Sequence, residues 1–170
     1  MFDKSTLAQL ELQLITWRRQ LHRIPEASYQ EKKTSQTIAA ELQKLGLSVQ
    51  TFSNHLGVCA VIHGSQPGPV IAFRADMDAL SIREEAASEF RSEHEGAMHA
   101  CGHDGHMAIL LGLASLLHNN RQHLAGTIKL FFQSAEEASP EGGAHFFLEA
   151  GLLDDVSAIF GLHLWPDLPC

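Results

Sequence analysis

The chain has 170 residues, 45% of them hydrophobic, which is enough for one ordinary core and is neither a disordered nor a fibrous composition. Its formal charge of -8, from 12 basic and 20 acidic residues, argues against a nucleic-acid or anionic-membrane surface, because those need clustered Lys and Arg. Small, soluble partners fit better.

Eleven histidines are many for this length, and imidazole is the commonest metal ligand, so composition already leans toward a metalloprotein. The three cysteines, Cys59, Cys101 and Cys170, are odd in number and widely spaced. That is no disulfide framework and suits a reducing compartment, the cytoplasm. The first seventeen residues interrupt their leucines with Gln, Glu and Asp, unlike a secretion signal, and no apolar run is long enough to span a bilayer.

Along residues 5–22, Leu7, Leu10, Leu14, Ile15, Trp17 and Leu21 recur at helical spacing until Pro25 stops the pattern, which predicts an amphipathic helix. Ser28 and Glu31 have capping-box spacing and predict a second helix, with Ile38, Leu42 and Leu45 as its stripe and Gly46 as its C-cap. Residues 47–52 and 58–63 read as neighbouring strands, and residues 64–69 as a turn. Val70-Ile71-Ala72-Phe73 is a strand buried on both faces, ending in Arg74-Ala75-Asp76-Met77-Asp78.

Residues 82–96, with five Glu and two Arg, read as a solvated loop. Asp104 is a candidate cap for a buried helix over residues 105–117, which is apolar nearly all round. A strand over 126–132, a short helix over 144–149 and a strand over 156–162 complete the pattern. The fold class is therefore α/β, a largely parallel or mixed sheet flanked by helices, whose sites form beyond the carboxyl ends of the strands. The chain stops directly after a strand, which predicts an uncovered edge or face and suggests an incomplete domain.

Three stretches gather metal-binding side chains, Met98-His99-Ala100-Cys101-Gly102-His103-Asp104-Gly105-His106, Ser134-Ala135-Glu136-Glu137 and Gly161-Leu162-His163. Thiolate, imidazole and carboxylate are ligands of zinc and similar divalent ions. Cys101 and His103 reach one centre if the backbone between them is extended, because alternate side chains then share a side. Packing or a supporting hydrogen bond suits His99 and His106 better than ligation.

On a solvated loop, Glu136 and Glu137 would be surface charge. After the buried strand Leu130-Phe131-Phe132, one of them can bind metal while the other holds an attacking water. Asp76 and Asp78, two apart, either ligate or hold a ligating His in its working tautomer, and the supporting role is favoured. His163 is either a packed core His or a ligand, and its place after a strand favours the ligand. Glu141-Gly142-Gly143 supplies a turn where backbone can approach a site closely.

With Arg18-Arg19-Gln20-Leu21-His22, Pro25-Glu26, Phe73-Arg74-Ala75-Asp76-Met77-Asp78-Ala79-Leu80 and Gly161-Leu162-His163-Leu164-Trp165-Pro166 added to the Cys-Gly-His-Asp-Gly-His block, the sequence resembles a metallopeptidase-related amidohydrolase family. That family includes hippurate hydrolase, auxin–amino acid conjugate hydrolases and N-acetyl-diaminopimelate deacetylase. The resemblance implies that Cys101, His103, Glu137 and His163 are metal ligands and that Glu136 is the general base, with Asp76, Asp78, His99 and His106 in support. It implies two divalent ions, Zn, Mn, Ni or Co, in the full-length protein, completed by a further His far along the chain. It also implies that residues 1–170 are the amino-terminal part of a catalytic domain, lacking a smaller dimerisation and lid domain and the returning carboxyl-terminal half.

The full-length protein is then expected to be a homodimer that hydrolyses the amide bond of small N-acyl amino acids, with no nucleic-acid or membrane partner. Ser134 stands where such enzymes commonly have Pro. A truncated fragment that binds metal weakly without catalysis is the alternative. A purely structural zinc module fits poorly, since paired Glu is not the usual closed Cys/His set.

Overall fold

The computed structural model describes residues 4–165 and 167–168. Pro166, Pro169 and Cys170, part of the abrupt stop read from the sequence, lie outside the described residues. The elements run α1 (Lys4–Arg23), α2 (Lys32–Lys44), β1 (Ser48–Thr51), β2 (Val58–His63), β3 (Gln66–Asp76), α3 (His103–Asn119), β4 (Ala125–Gln133), α4 (Ala144–Glu149) and β5 (Val156–Gly161), with a single 3-10 turn before β4. One five-stranded sheet has the order β1-β2-β4-β3-β5. It is mixed: β1, β2 and β4 pair antiparallel, while β3 pairs parallel with both β4 and β5.

Period-two alternation sorts the strand residues to two faces. Val58, Ala60, Ile62, Leu130 and Phe132 face the main core with Trp17, Leu21, Ile38, Leu42 and Leu111 of the helices. Cys59, Phe131 and Ala72 face the other side, where Phe147 of α4 covers them. Burying each large side chain of this kind contributes about 1.5–3 kcal/mol. In α3, Gly112 lets α1 come close, since a Cβ there would lie 2.6 Å from Leu14 Cδ2. Among the described residues β5 pairs only with β3, and Ile159 and Phe160 are exposed, so the outer edge is open there, as the sequence led us to expect.

Four sequence expectations are corrected. The 64–69 turn is shorter than read, because β3 begins at Gln66, which pairs with Ala125 across a register shift that accommodates Pro67 and Pro69. Ser28 and Glu31 do not form a capping box. Helix α2 starts after Glu31 with no cap from that side chain, and its free N–H groups are taken by Glu26, which accepts from Lys33 N at 3.2 Å and Thr34 N at 2.9 Å. Asp104 is not the cap of α3, which starts two residues earlier than expected, at His103 behind Gly102; its carboxylate instead meets His22 Nδ1 at 2.7 Å and Arg18 Nε at 2.9 Å. The 82–96 segment is irregular as expected but not wholly solvated, because Glu84 is buried against His22 Nε2 at 3.3 Å. Among the described residues, no helix is long and apolar enough to cross a membrane.

Candidate metal centre

Strands β4, β3 and β5 run parallel, so their carboxyl ends share one rim. Asp76 is the last residue of β3, Glu136 and Glu137 follow β4, and His163 follows β5. Cys101 and His103 arrive there at the start of α3. The extended backbone expected between them is absent; Gly102 sits in the left-handed region at φ +86, a conformation costly for any residue with a Cβ. That turn brings both side chains to the rim.

Three overlapping groups of ligand atoms result, each with its atoms within 4.8 Å of one another: Cys101, His103 and His163; His103, Glu136 and Glu137; and Asp76, His103 and His106. His103 is common to all. Its Nε2 lies 3.7 Å from Glu137 Oε1, 3.9 Å from Glu136 Oε2 and 3.7 Å from Asp76 Oδ1. Cys101 Sγ lies 3.4 Å from His163 Nε2, across 62 positions of sequence.

These residues suit a cation. The ring of His103 is buried, its Nδ1 donates to the backbone carbonyl of Asp78 at 2.8 Å, and its Nε2 has no hydrogen-bond partner among the described residues. A buried polar atom left without a partner is unfavourable, and a metal ion satisfies such a lone pair. Sulfur, nitrogen and carboxylate donors face the same point, a mixed set that zinc and its neighbours accept. Burial opposes a charged His103, but Asp78 and Asp76 more than offset it and hold its pKa above the usual value. The same carboxylates attract a metal ion. Burial, reinforced by Glu137 and the charges of Asp76 and Glu136, pushes the Cys101 thiol up to about 11 when no cation is bound.

Asp78 anchors two elements at once. Its Oδ2 accepts from Ser28 Oγ at 2.6 Å and from Glu137 N at 2.9 Å. Burial opposes its charge, but these bonds and His103 bring its pKa down to about 2. His106 has both nitrogens engaged, Nδ1 donating to Asp76 Oδ1 at 2.6 Å and Nε2 accepting from Leu164 N at 2.9 Å. The other Asp76 oxygen accepts from Arg74 at 2.7 Å. Although the third group is close enough for a metal, its Asp76 and His106 atoms are thus already committed. His99 stays outside the groups, buried with neither ring nitrogen hydrogen-bonded among the described residues, and burial takes its pKa down to about 4.

The loop carrying the paired Glu is held tightly. Ala135 adopts φ +53, and its N–H donates to Glu31 Oε1 at 2.6 Å while its carbonyl accepts from Gly143 N at 2.9 Å. A Cβ at Gly143 would lie 1.9 Å from the Ser134 carbonyl oxygen, the close backbone approach that the Gly142-Gly143 turn predicted. Sequence reasoning missed Glu31 and Ser28 here, because their spacing offered a local role that Glu26 fills instead. An open cleft of about 450 Å³ lies beside the rim, lined by Cys101, Gly102, His163, Leu164 and Trp165.

A family model described as peptidase family M20/M25/M40 matches residues 72–170. The chain is 46% identical over 165 residues to the N-acyl-L-amino acid amidohydrolase of Geobacillus stearothermophilus, covering 97% of this chain and 44% of that protein. It is 47% identical over 147 residues to the IAA-amino acid hydrolase ILR1-like 4 of Arabidopsis thaliana, covering 86% of this chain and 33% of that protein. Among solved structures, the YXEP protein of Bacillus subtilis, described as a dinuclear metal binding peptidase from the M20 family, matches with a TM-score of 0.90 and 46% identity, over 95% of this chain and 45% of that one. The chain spans less than half the length of these relatives.

Proposed function

Because the chain belongs to peptidase family M20/M25/M40, we propose that it forms part of a metal-dependent amidohydrolase that splits small N-acyl amino acids into a carboxylic acid and a free amino acid. The observation that carries this reading is the buried, partnerless Nε2 of His103, facing Glu136 and Glu137, with Cys101 and His163 in contact close by. Relatives named for hydrolysing N-acyl and auxin-conjugated amino acids support the substrate class.

In this assignment Cys101, His103, Glu137 and His163 hold two divalent ions, Zn, Mn, Ni or Co. When bound, such ions polarise a carbonyl and lower the pKa of water toward about 7. Glu136 takes the proton of the attacking water and returns it to the departing amine. Asp78 fixes the tautomer of His103, Asp76 and His106 brace Leu164 beside His163, and buried His99 supports the site, its ring centroid 6.5 Å from that of His22. The acyl group lies against Leu164 and Trp165 in the cleft. The remainder of the protein supplies a dimerising lid domain and a further ligand, in keeping with the length of the relatives. Unpaired Cys59 and Cys101 suit a reducing, cytoplasmic setting.

The test is hydrolysis of hippurate and acetylated amino acids by the whole protein, with metal content measured alongside. Glu136→Gln should lower kcat by about 10²–10⁴ without changing metal content; equal activity in the mutant sinks the assigned role. A second reading, that residues 1–170 alone bind metal weakly and do not catalyse, is favoured by exposed Ile159 and Phe160 on the open edge strand. The isolated chain would then bind fewer ions than the whole protein and turn over no substrate.

A further inference from the structure

We propose that Glu31 is a positioning residue whose buried carboxylate grips the backbone of the Ser134–Glu137 loop and aims Glu136 and Glu137 at the metal centre. The inference rests on the proposed hydrolysis for its kinetic readout, but not for its metal-binding one.

Glu31 is fully buried, at 0% exposure, and 104 positions from the residue it holds. Burying a carboxylate is unfavourable unless it is well paired. Helix α2 does not need this one, since Glu26 takes its free N–H groups. Glu31 instead reaches across to Ala135, whose φ of +53 is a conformation that residues with a Cβ avoid. A residue in that region persists only when its surroundings hold it there.

The hold is two-sided and continues along the loop. Glu31 takes the N–H of Ala135, Gly143 takes its carbonyl, and Asp78 takes the N–H of Glu137. Two carboxylates thus grip alternate N–H groups, at 135 and 137, and the side chain of Glu136 leaves the backbone between them. Its carboxylate reaches 3.9 Å from His103 Nε2, and that of Glu137 reaches 3.7 Å. Without Glu31, the left-handed turn at Ala135 can relax and both carboxylates move with it.

One further feature fits. Burial, aided by the charge of Asp78 and opposed by the backbone N–H groups of Glu31, Ala135 and Tyr29, pushes its carboxyl up to about 7, so a neutral amide that still accepts from these N–H groups is a close mimic of a form it already adopts.

The experiment compares Glu31→Gln and Glu31→Met in the whole protein, reading kcat and KM, Co²⁺ affinity from the ion's absorption spectrum, and thermal unfolding of the metal-free form. Gln keeps an acceptor for Ala135 N, whereas Met keeps the volume and removes it. The Met variant should unfold no earlier than wild type, since an apolar isostere of a buried charge is often neutral or stabilising. It should nevertheless lose about 10–100-fold in kcat and in Co²⁺ affinity, with KM little changed, as outer residues that orient metal ligands do. Gln should stay within about threefold of wild type in both.

Wild-type kcat and Co²⁺ affinity in the Met variant overturn the proposal. So does a Gln variant as impaired as Met, and so does a Met variant that fails to fold, which would make Glu31 a determinant of the fold. If wild type binds Co²⁺ but hydrolyses no N-acyl amino acid, the proposed function falls while the Co²⁺ affinities still decide the role of Glu31.

Discussion

His103 donates from Nδ1 to the backbone carbonyl of Asp78 at 2.8 Å, and a carbonyl oxygen can only accept, so in the neutral ring, the form that binds metal, the opposite nitrogen carries the lone pair. That bond joins the start of α3 to the segment just past β3. It converts an ordinary buried histidine into a fixed electron donor pointing at the rim, and a metal ligand's affinity depends on such bracing.

Metal affinity should rise with pH. The Cys101 thiol, pushed up to about 11 by burial and then by Glu137, must lose its proton to bind a cation. Each pH unit below that value costs about tenfold in apparent affinity for this ligand. Titrating Zn²⁺ against a competing chelator between about pH 6 and 8 measures the slope. Cys101→Ser should weaken binding and flatten that slope; an unchanged slope removes Cys101 from the ligand set.

Gly143→Ala should disturb the loop that carries Glu136. The new methyl would lie 1.9 Å from the Ser134 carbonyl oxygen, a backbone atom that cannot rotate away. Overpacking of this kind costs about 1–3 kcal/mol and displaces the neighbouring chain. Gly161→Ala, where the nearest atom is 3.7 Å away, is the control and should unfold close to wild type. Denaturant unfolding of both variants makes the comparison, and equal midpoints contradict it.

The buried His22 cluster should make stability depend on pH in a defined window. The hydrogen bond to Asp104 raises the pKa of His22 above its ordinary 6.5, against the opposing effect of burial. Its contribution is therefore complete below about pH 6.5 and is lost as pH rises through the higher folded value. Burial opposes ionisation of Asp104, but its bond to His22 outweighs this and lowers its pKa below 3.8, so acid removes the same contribution from the other side. Breaking a buried pair costs about 3–5 kcal/mol. The stability gap between wild type and His22→Gln should be widest near about pH 5–6 and narrow toward about pH 9, as read by urea unfolding. A gap that widens with pH contradicts the pairing.

Glu26→Ala should lower stability by about 1 kcal/mol, the usual cost of losing a helix cap, and Tm by about 2–4 °C. Glu26→Gln, which keeps an oxygen for Thr34 N, should recover most of it. Calorimetry decides, and equal Tm values would return the capping role to Ser28 or Glu31.

The order of elements was legible because periodicity is a local property. Leu10, Leu14, Trp17 and Leu21 trace one stripe of α1, and the alternation through Leu130, Phe131 and Phe132 places them on the two faces of β4. The clusters around Cys101, Glu136 and His163 were legible too, since each ends an apolar strand or begins a helix. The capping assignments failed for a common reason. Ser28, Glu31 and Asp104 each satisfied a short-range rule in the sequence, yet each side chain found a stronger partner 50, 104 and 82 positions away.

By itself, then, the sequence determined which residues could carry the chemistry and which segments bury their side chains, because composition and spacing act over a few neighbouring residues. The tertiary structure alone decided which of those residues meet. The parallel pairing of β3 with β4 and β5 puts their ends on one rim, the left-handed turn at Gly102 delivers Cys101 with His103, and Glu31 and Asp78 reach over from elsewhere to hold the loop. Strand pairing and long-range hydrogen bonds have no period along the chain, so no local pattern could announce them.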